Sequence, residues 1–415
     1  MNVRLLNVSI RVLVLISRFM FMFALAKLLE PSQVGQYGLL VAAVGYSIYF
    51  IGLDFYSYTS RQVAGGDRSL WGRYIKSQIA LSGFLYFIFF PSFLIIFAIA
   101  WLPWSLVGWF FVILIFEHAC LEMMRFFIAA SEQLSASLVL FFNQACWAVA
   151  VILLMVSGEY FRGLEWVLSF WIGGSAIALV LACLKLKRMQ LGGWRSRIDW
   201  SWVWLGIKVA VPMLIATLAL RGIFTFDRYL VGEVLGLEQV AVYVLFIGVA
   251  GTLLAFLDAA VFSFAYPGLI EACKMQQADI FRRTMRMMLV SVVLFSMVFT
   301  VCSLLVFPYL LVWIEREIYL ESYHVFYWVL LAIVINALWL IFHYALYSQR
   351  CDGHIIGSRL LAFFVFLIAS YIFYFPYPRD SIFIGLCLSQ FVILVWNFLA
   401  YRAVTPRALL GFGRD

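Results

Sequence analysis

Four ionisable residues with helical spacing lie in one otherwise apolar stretch of this 415-residue chain. Glu117, His118 and Glu122 fall within residues 104–129, and His118 and Glu122 are four residues apart, so they share a helix face. Arg125 lies three residues beyond Glu122, on the same face. Carboxylates are costly to keep ionised in apolar surroundings, so this group is predicted to couple the movement of an ion, most simply a proton. A structural clasp between helices is the alternative interpretation.

Three arginines recur every seven residues in the first hydrophobic stretch. Arg4, Arg11 and Arg18 therefore lie on one helix face. At 1.5 Å per residue, Arg18 lies about 10 Å deeper in the membrane than Arg11. The planar, permanently charged guanidinium suits phosphate, so Arg18 is a predicted contact for an anionic substrate. An ion pair with an acidic residue of a neighbouring helix is the alternative.

Further candidate residues are charged or titratable side chains within or near the hydrophobic stretches. The predicted substrate contacts besides Arg18 are Lys208, Arg221, Arg228 and His343, which shares a helix face with Asn336. The predicted gate residues are Asp54, Arg61, Asp227 and Asp258. Interfacial hydration or pairing with inner arginines is the alternative for Asp54 and Asp258. For Arg221, Asp227 and Arg228 the alternative is an exposed outer loop, and for Lys208 it is snorkelling to the interface.

The residue types needed for enzyme chemistry are not arranged in known motifs. The seven cysteines include no CxxC pair, and the four histidines show no HExxH spacing. The chain also has no Walker A loop, no GxGxxG and no nucleophile elbow. The sequence therefore predicts no catalytic residue, no metal site and no cofactor, and the protein is not expected to be an enzyme.

Twelve hydrophobic stretches must position these residues, and they fill nearly the whole chain. The composition is 66% hydrophobic and 12% charged, with a mean hydropathy of +1.02, whereas soluble domains carry roughly 25% charged residues. A spanning segment needs about 20 apolar residues and must satisfy its own backbone hydrogen bonds. We therefore predict an all-α polytopic membrane protein with about 12 transmembrane helices. The predicted helices are 8–29, 36–57, 77–101, 104–129, 138–157, 166–186, 201–222, 239–262, 287–311, 323–347, 357–376 and 381–401.

The distribution of Lys and Arg predicts the orientation of these helices. With the N-terminus inside, 21 of the 29 Lys and Arg fall on the inner side and 6 on the outer side. This bias predicts that both termini are cytoplasmic. The net charge of +8 lies mostly on this inner rim, which indicates contact with anionic membrane lipids and not with nucleic acid.

Two segments 206 positions apart match each other. Residues 33–37 (QVGQY) align with residues 239–243 (QVAVY), and each lies at the outer start of an even-numbered helix. Coincidence in apolar sequence is the alternative. A six-helix repeat preserves orientation, so the chain is predicted to form two parallel six-helix bundles, residues 1–198 and 199–415. Two such bundles beside a central cavity are typical of transporters that rock one bundle against the other.

The residues around these segments resemble a known family. Residues 28–38 (LLEPSQVGQYG) are similar to the loop that joins the first two helices of polysaccharide flippases. Residues 52–54 followed by Arg61 are similar too, as are residues 227–230 (DRYL) followed by Tyr243. Together they resemble the O-antigen type, lipid-linked oligosaccharide flippases of the multidrug/oligosaccharidyl-lipid/polysaccharide exporter superfamily.

This resemblance implies a function and a set of partners. Members move an undecaprenyl-pyrophosphate-linked oligosaccharide from the inner to the outer leaflet of the bacterial inner membrane, using an ion gradient. The resemblance therefore implies a role in O-antigen, lipopolysaccharide and polysaccharide biosynthesis, with the glycan polymerase and chain-length machinery as candidate partners. A drug or metabolite exporter of the same superfamily is one alternative. A membrane oligosaccharide polymerase is another, although the short outer loops disfavour it.

Overall fold

Twelve helices long and apolar enough to cross a membrane make up the computed structural model, which describes residues 3–406 without the side chains of residues 3–5 and 8. This confirms the predicted all-α, twelve-helix class. Arg4, Arg407 and Arg414, which the inner-side count includes, lie outside the described side chains. Numbered in chain order, the helices are α1 (Val3–Leu28), α2 (Pro31–Gly52), α3 (Arg68–Ala98), α4 (Trp104–Ala129), α5 (Gln133–Ser157), α6 (Leu164–Arg188), α7 (Trp200–Leu235), α8 (Leu237–Lys274), α9 (Ala278–Ile314), α10 (His324–Ser348), α11 (Asp352–Tyr374) and α12 (Ser381–Val404).

The largest departure from prediction is the connection between α7 and α8. The seventh helix was predicted to end at residue 222 and the eighth to begin at residue 239, with a loop between them, and this was wrong. The helix continues to Leu235, and α8 begins at Leu237, so only Gly236 separates them. Its φ of 92° lies in the left-handed region that glycine adopts freely. Hydropathy indicates how much of a segment lies within the membrane. The helix itself ends where the backbone dihedral angles leave the helical region, as they do at Gly236.

The second helix also ends at a different place from the predicted one. It was expected to reach residue 57, but Leu53 and Asp54 adopt φ values of 48° and 50° and terminate α2. A short separate helix, Tyr56–Val63, follows on the predicted inner side. The next helix is capped by Asp67, whose carboxylate accepts from the Ser69 backbone N–H at 2.9 Å. Hydrogen bonds from Ser69 hold the pKa of Asp67 below its ordinary value.

Two spanning helices contain an irregular turn. A π-helical turn occupies Phe142–Cys146 within α5, and another occupies Asp258–Phe262 within α8. Such turns often occur at functional sites because they re-aim side chains without ending the helix. Pro212 interrupts the hydrogen-bond ladder of α7, since proline has no backbone N–H.

The chain divides into two compact units, Met1–Leu214 and Ile215–Asp415. The boundary falls inside α7, two residues beyond Pro212. In the first unit, one core cluster packs Trp71 against Phe126 and Phe127. The second unit is built chiefly from α8 and α10–α12. The division predicted at residue 198 remains a prediction.

Large apolar side chains cover much of the outside of each unit. Phe87 in α3 is 81% exposed, and Phe264 in α8 is 77% exposed. Aromatic surfaces of this size would aggregate in water but are compatible with lipid. Together with the twelve apolar helices, they make this a multi-pass membrane protein.

Candidate ion-coupling and substrate site

The ionisable residues of α4 belong to two separate groups of contacts within the first unit. Glu117 faces α5 and α6, where it meets Asn143 and Trp171. His118 and Glu122 face α3, where they meet Tyr86 and Gln78 respectively. Adjacent helix positions point about 100° apart, so neighbours in the sequence have different partners in the structure.

Among the residues that the structure describes, Glu117 accepts hydrogen bonds only from uncharged groups. Trp171 Nε1 donates to its Oε1 at 2.6 Å, and Asn143 Nδ2 donates to its Oε2 at 3.2 Å. Ser175 Oγ lies 3.4 Å from the same Oε1 and donates to Asn143 Oδ1 at 2.7 Å. We call these four residues the Glu117 network. Since no cation neutralises the carboxylate by direct contact in this network, the site favours either protonation or the arrival of a cation.

The π-helical turn of α5 and a close approach of α6 position this network. Asn143 lies inside the turn, and its carbonyl accepts from Trp147 Nε1 at 2.7 Å. The Trp147 ring stacks on Trp171 with the ring centroids 5.9 Å apart and the planes 11° apart. Gly174 permits this packing, because a Cβ there would lie 2.6 Å from the Trp147 ring.

His118 and Glu122 form the second group, towards the predicted inner side. Tyr86 Oη lies 2.8 Å from His118 Nδ1, and the other ring nitrogen of His118 is buried without a hydrogen-bond partner among the described residues. Glu122 accepts from Gln78 Nε2 at 2.5 Å and pairs with Arg125 at 2.7 Å. The predicted contact between Glu122 and Arg125 is therefore present, whereas the His118 ring is bonded to α3.

Arg125 ties this second group to the short helix that follows α2. Its guanidinium lies 3.7 Å from the centroid of the Tyr56 ring, a cation–π contact. Thr59 Oγ1 donates to Gln78 Oε1 at 2.8 Å, which continues the chain of hydrogen bonds from Glu122. A cavity of about 10 Å³ lies among these side chains, about the space one water needs. The positive charge of Arg125 next to this cavity favours water there over a cation.

The arginines of α1 contact α5 at the same seven-residue interval. Arg11 Nε donates to Ser137 Oγ at 3.3 Å, and Arg18 NH1 donates to Gln144 Oε1 at 3.4 Å. Arg18 is exposed, and its described hydrogen bond is to an amide instead of to an acid. The charge of Arg18 also acts on Glu117 of α4, so both the anionic-ligand contact and the interaction with an acid stay predictions.

In the second unit, Asp227 is fully buried and bonded to α8. Its carboxylate accepts from Tyr243 Oη at 2.6 Å and from the Arg228 backbone N–H at 2.6 Å. The interpretation of Asp227 and Arg228 as an exposed loop pair was wrong, because both lie inside α7. Arg221 also lies in this helix and is exposed. A gate role for Asp227 stays a prediction.

Two other predicted substrate contacts differ in their environments. Lys208 is exposed in α7, and its ammonium lies 5.6 Å from the centroid of the Trp204 ring. His343 is half-buried in α10, with its ring 5.9 Å from that of Trp339. Its Nδ1 is buried without a hydrogen-bond partner among the described residues. Asn336, on the same face of α10, is 5% exposed.

The remaining predicted gate residues have different environments. Asp54 is buried at the end of α2, so its interpretation as a hydrated interfacial carboxylate was wrong. Arg61 is exposed on the short helix Tyr56–Val63. Asp258 opens the π-helical turn of α8, is exposed and lies 3.5 Å from Tyr344 Oη, and its predicted roles stay predictions.

Several residues of these networks were not predicted from the sequence. They are uncharged polar or aromatic side chains whose position follows from helix packing, namely Gln78, Tyr86, Asn143, Trp171, Ser175 and Tyr243. Asn143 and Gln78 could have been noticed as amides inside apolar stretches, since buried polar groups in membranes require partners. Across residues 3–406, no three His, Cys, Asp or Glu come together in a way that could hold a metal ion.

The fold matches that of solved membrane transporters. An inward-facing multidrug resistance MATE family transporter of the MOP superfamily matches with a TM-score of 0.72 and 10% identity, over 96% of both chains. A MATE protein in a bent conformation matches with a TM-score of 0.55 and 12% identity, over 97% of this chain and 96% of that one. A mutant Vibrio cholerae MATE transporter matches with a TM-score of 0.50 and 12% identity, over 96% of this chain and 97% of that one.

Comparisons of sequence find no match. No protein-family model matches this chain, and no curated protein matches it. The likeness to the solved structures therefore shows the fold, and it extends over nearly the whole of both chains. This chain has the twelve-helix fold of the MATE transporters.

Proposed function

We propose that this protein is a membrane transporter that moves an undecaprenyl-pyrophosphate-linked oligosaccharide from the inner to the outer leaflet by alternating access. The observation that carries the proposal is the fold match over 96% of both chains to a transporter of the MOP superfamily. The substrate class is supported by the resemblance of residues 28–38 and 227–230 to polysaccharide flippases. We place the protein in the bacterial inner membrane with both termini cytoplasmic, on the basis of its Lys and Arg distribution.

The Glu117 network is the proposed ion-coupling site. Glu122 has Arg125 at 2.7 Å, so its carboxylate is already neutralised and has little need of a proton. Among the described residues, Glu117 has only the neutral donors Trp171, Asn143 and Ser175 within hydrogen-bond distance. A proton on Glu117 would therefore remove a costly charge without breaking an ion pair. His118 and Glu122 then serve as a second group nearer the predicted inner side.

Exposed cations are the proposed contacts for the pyrophosphate. Arg18 presents a guanidinium whose described hydrogen bond is a long one, 3.4 Å to Gln144. Lys208 is likewise exposed and has only the Trp204 ring as its described contact. Phosphate oxygens would form shorter, charge-assisted bonds with both groups. The glycan polymerase and chain-length machinery are proposed partners, since they would use the delivered unit.

The experiment that tests this function locates the lipid-linked sugar in cells depleted of the protein. Membrane vesicles of known sidedness are treated with an impermeant sugar-oxidising reagent, and the modified fraction gives the outer-leaflet share. We expect the units to be trapped on the inner leaflet, and wild-type protein to restore their exposure. Normal exposure of the units in depleted cells would falsify the flippase assignment.

Export of a drug or metabolite is the second candidate function. It is favoured by the fold match to a multidrug resistance transporter. The two functions separate in one strain, because an exporter lowers the intracellular level of a fluorescent cationic dye without changing the leaflet of the sugar units. Exposed Arg18 and Lys208 would repel such a dye, so we expect no efflux.

A further inference from the structure

A surface cavity of about 360 Å³ opens at the C-terminal end of α6, wholly within the first unit. It falls in the size range of small-ligand sites. None of the residues proposed for coupling or substrate binding lines it. The lining residues are Cys183, Leu186, Lys187, Gln190, Leu191 and Trp194.

Most of the positive charge in the segment around this cavity is not balanced by an acid. Residues 166–198 contain no Asp or Glu. Within this stretch Lys185 is neutralised by Glu132, at 2.8 Å. The other cations are exposed and have no ion pair among the described residues, and they are Lys187, Arg188, Arg195 and Arg197. The cavity therefore lies in a local field that favours an anion.

One face of α6 continues from the cavity into an exposed apolar stripe. Val180, Cys183, Leu184 and Lys187 are spaced i, i+3, i+4 and i+7, so they lie on the same helix face. Val180 is 58% and Leu184 is 51% exposed, whereas Lys187 lies at the cavity itself. A single ligand on this face would meet a cation at one end and hydrocarbon along the rest.

The segment that follows α6 and borders the cavity is held in place by contacts with α3. Gly72 N donates to Gly192 O at 2.9 Å, and a Cβ on Gly192 would lie 2.6 Å from Ser69 O. Lys76 Nζ donates to Ser196 O at 3.1 Å. These contacts fix the cavity before any ligand arrives, which reduces the entropy lost on binding.

We propose that this cavity binds the headgroup of an anionic phospholipid of the inner leaflet. The phosphate lies against Lys187, and the acyl chains follow the stripe formed by Val180 and Leu184. Trp194 is 40% exposed and follows the C-terminal end of α6, and indole rings favour the membrane interface. The inference does not depend on the proposed function, because it requires only that α6 ends at the inner face of a membrane.

Native mass spectrometry of the full chain released from detergent micelles tests this site. Dioleoyl phosphatidylglycerol and dioleoyl phosphatidylcholine are titrated separately, and the first bound lipid gives the dissociation constant. We expect wild-type protein to bind phosphatidylglycerol more tightly, and Lys187→Gln to weaken that binding about fivefold. Filling the cavity with Cys183→Trp should weaken it as well without removing a charge.

The matched control is Lys274→Gln. Lys274 is also an exposed lysine in the last turn of a helix on the predicted inner side, but it lies at the end of α8, outside the cavity. We expect this variant to bind phosphatidylglycerol as wild type does. Equal binding of the two lipids, or equal losses in Lys187→Gln and Lys274→Gln, would overturn the proposal.

A competition experiment separates a phospholipid from the carrier lipid. Undecaprenyl pyrophosphate has the same phosphate chemistry as phosphatidylglycerol but belongs to the proposed substrate. We expect it to leave phosphatidylglycerol in place when both are supplied at equal concentration. The opposite result would be displacement of phosphatidylglycerol by undecaprenyl pyrophosphate in the wild-type protein but not in Lys187→Gln. It would show that the cavity is a capture site for the carrier and overturn the phospholipid assignment.

Discussion

Tyr37 in the first unit and Tyr243 in the second occupy equivalent positions of the 206-residue repeat, but they have different partners. Sixteen residues before each tyrosine, the first unit has Phe21 and the second has Asp227. The rings of Phe21 and Tyr37 meet edge to face with centroids 5.7 Å apart. Tyr243 instead donates a hydrogen bond to Asp227 at 2.6 Å. The contact between the tyrosine and the residue sixteen positions before it is thus aromatic in the first unit and polar in the second.

This difference between the two tyrosines reflects where the acidic residues lie in each unit. In the second unit the acid is Asp227 on α7, and it is satisfied by Tyr243 from the next helix. In the first unit the equivalent position is apolar, and the acids lie elsewhere: Asp54 is buried at the end of α2, and the half-buried Glu117 lies on α4. Tyr37 still lies close to the Glu117 network, with its ring 5.9 Å from that of Trp171. The two units share a helix arrangement without sharing the place where charge is buried.

The largest expected effect is on transport in Glu117→Gln. Glutamine keeps the shape of the side chain but cannot exchange a proton, so we expect transport to fall by more than about tenfold. Asp227→Asn is the matched change in the other unit and should alter transport by less than about threefold. The assay is the rate at which lipid-linked sugar becomes accessible on the outer leaflet. Equal losses in the two variants would mean that both units couple the ion.

The second prediction concerns the packing beneath the Glu117 network. Gly174→Ala places a methyl group 2.6 Å from the Trp147 ring and 2.8 Å from the Phe142 carbonyl oxygen. Overpacking of this kind costs about 1–3 kcal/mol, so we expect a lower unfolding temperature in detergent. Gly173→Ala is the control, because nothing lies within 4 Å of a Cβ at that position. If Gly174→Ala unfolds at the wild-type temperature, the close approach of α6 to α5 is not what holds the network.

The third prediction separates the two tyrosines by stability. Tyr243→Phe removes the hydrogen bond to Asp227 and leaves a buried carboxylate short of a donor, so we expect a loss of about 1–2 kcal/mol. Tyr37→Phe keeps the aromatic contacts with Phe21 and Trp171 and should change stability by less than about 0.5 kcal/mol. Thermal unfolding of the purified variants measures both. A larger loss in Tyr37→Phe than in Tyr243→Phe would contradict the comparison.

The smallest expected effect is a pH dependence at the predicted inner side of the first unit. Hydrogen bonds from the Trp202 backbone N–H and the Ser201 hydroxyl, followed by the charge of Arg73, hold the pKa of Asp199 below its ordinary value. Stabilisation by a carboxylate of this kind is complete above its unfolded pKa of about 4 and is lost as the pH falls through its lower folded pKa. Asp199→Asn should therefore lower the unfolding temperature at pH 7 and converge with wild type in acid.

A matched variant in the second unit completes that test. Asp279 pairs with Arg282 three residues away on α9, at 2.6 Å, and is almost fully exposed. Exposed pairs of this type contribute about 0–1 kcal/mol, so Asp279→Asn should have the smaller effect at pH 7. The same thermal scans measure both variants. The reverse ranking would show that the Arg73–Asp199 contact does not stabilise the first unit.

The number and class of the helices could be predicted from the sequence, but several helix ends could not. Twelve apolar stretches are set by membrane thickness, which hydropathy reports directly. The extension of α7 to Leu235 lies beyond that signal, because charged residues such as Asp227 and Glu233 look like loop residues in a hydropathy profile. Only Gly236 marks the true end, and one glycine is a weak signal.

The candidate site was predicted only in part for a similar reason. The charge of Glu117 identifies it at once within an apolar stretch. Its partners Asn143 and Trp171 come from two other helices, and the π-helical turn that holds Asn143 leaves no sequence pattern. Buried Tyr243 looks like any other aromatic residue of an apolar helix until Asp227 is found opposite it.

The single glycine between α7 and α8 has a mechanical consequence. A flexible loop would let the two helices move independently. A connection of one residue instead couples the rotation of one helix to that of the other. The hydrogen bond between Tyr243 and Asp227 fastens the same pair a second time, about two helical turns from the corner on each side. Gly236 and the Tyr243–Asp227 hydrogen bond together restrain the first part of α8. We therefore expect α8 to bend farther along, at the π-helical turn Asp258–Phe262.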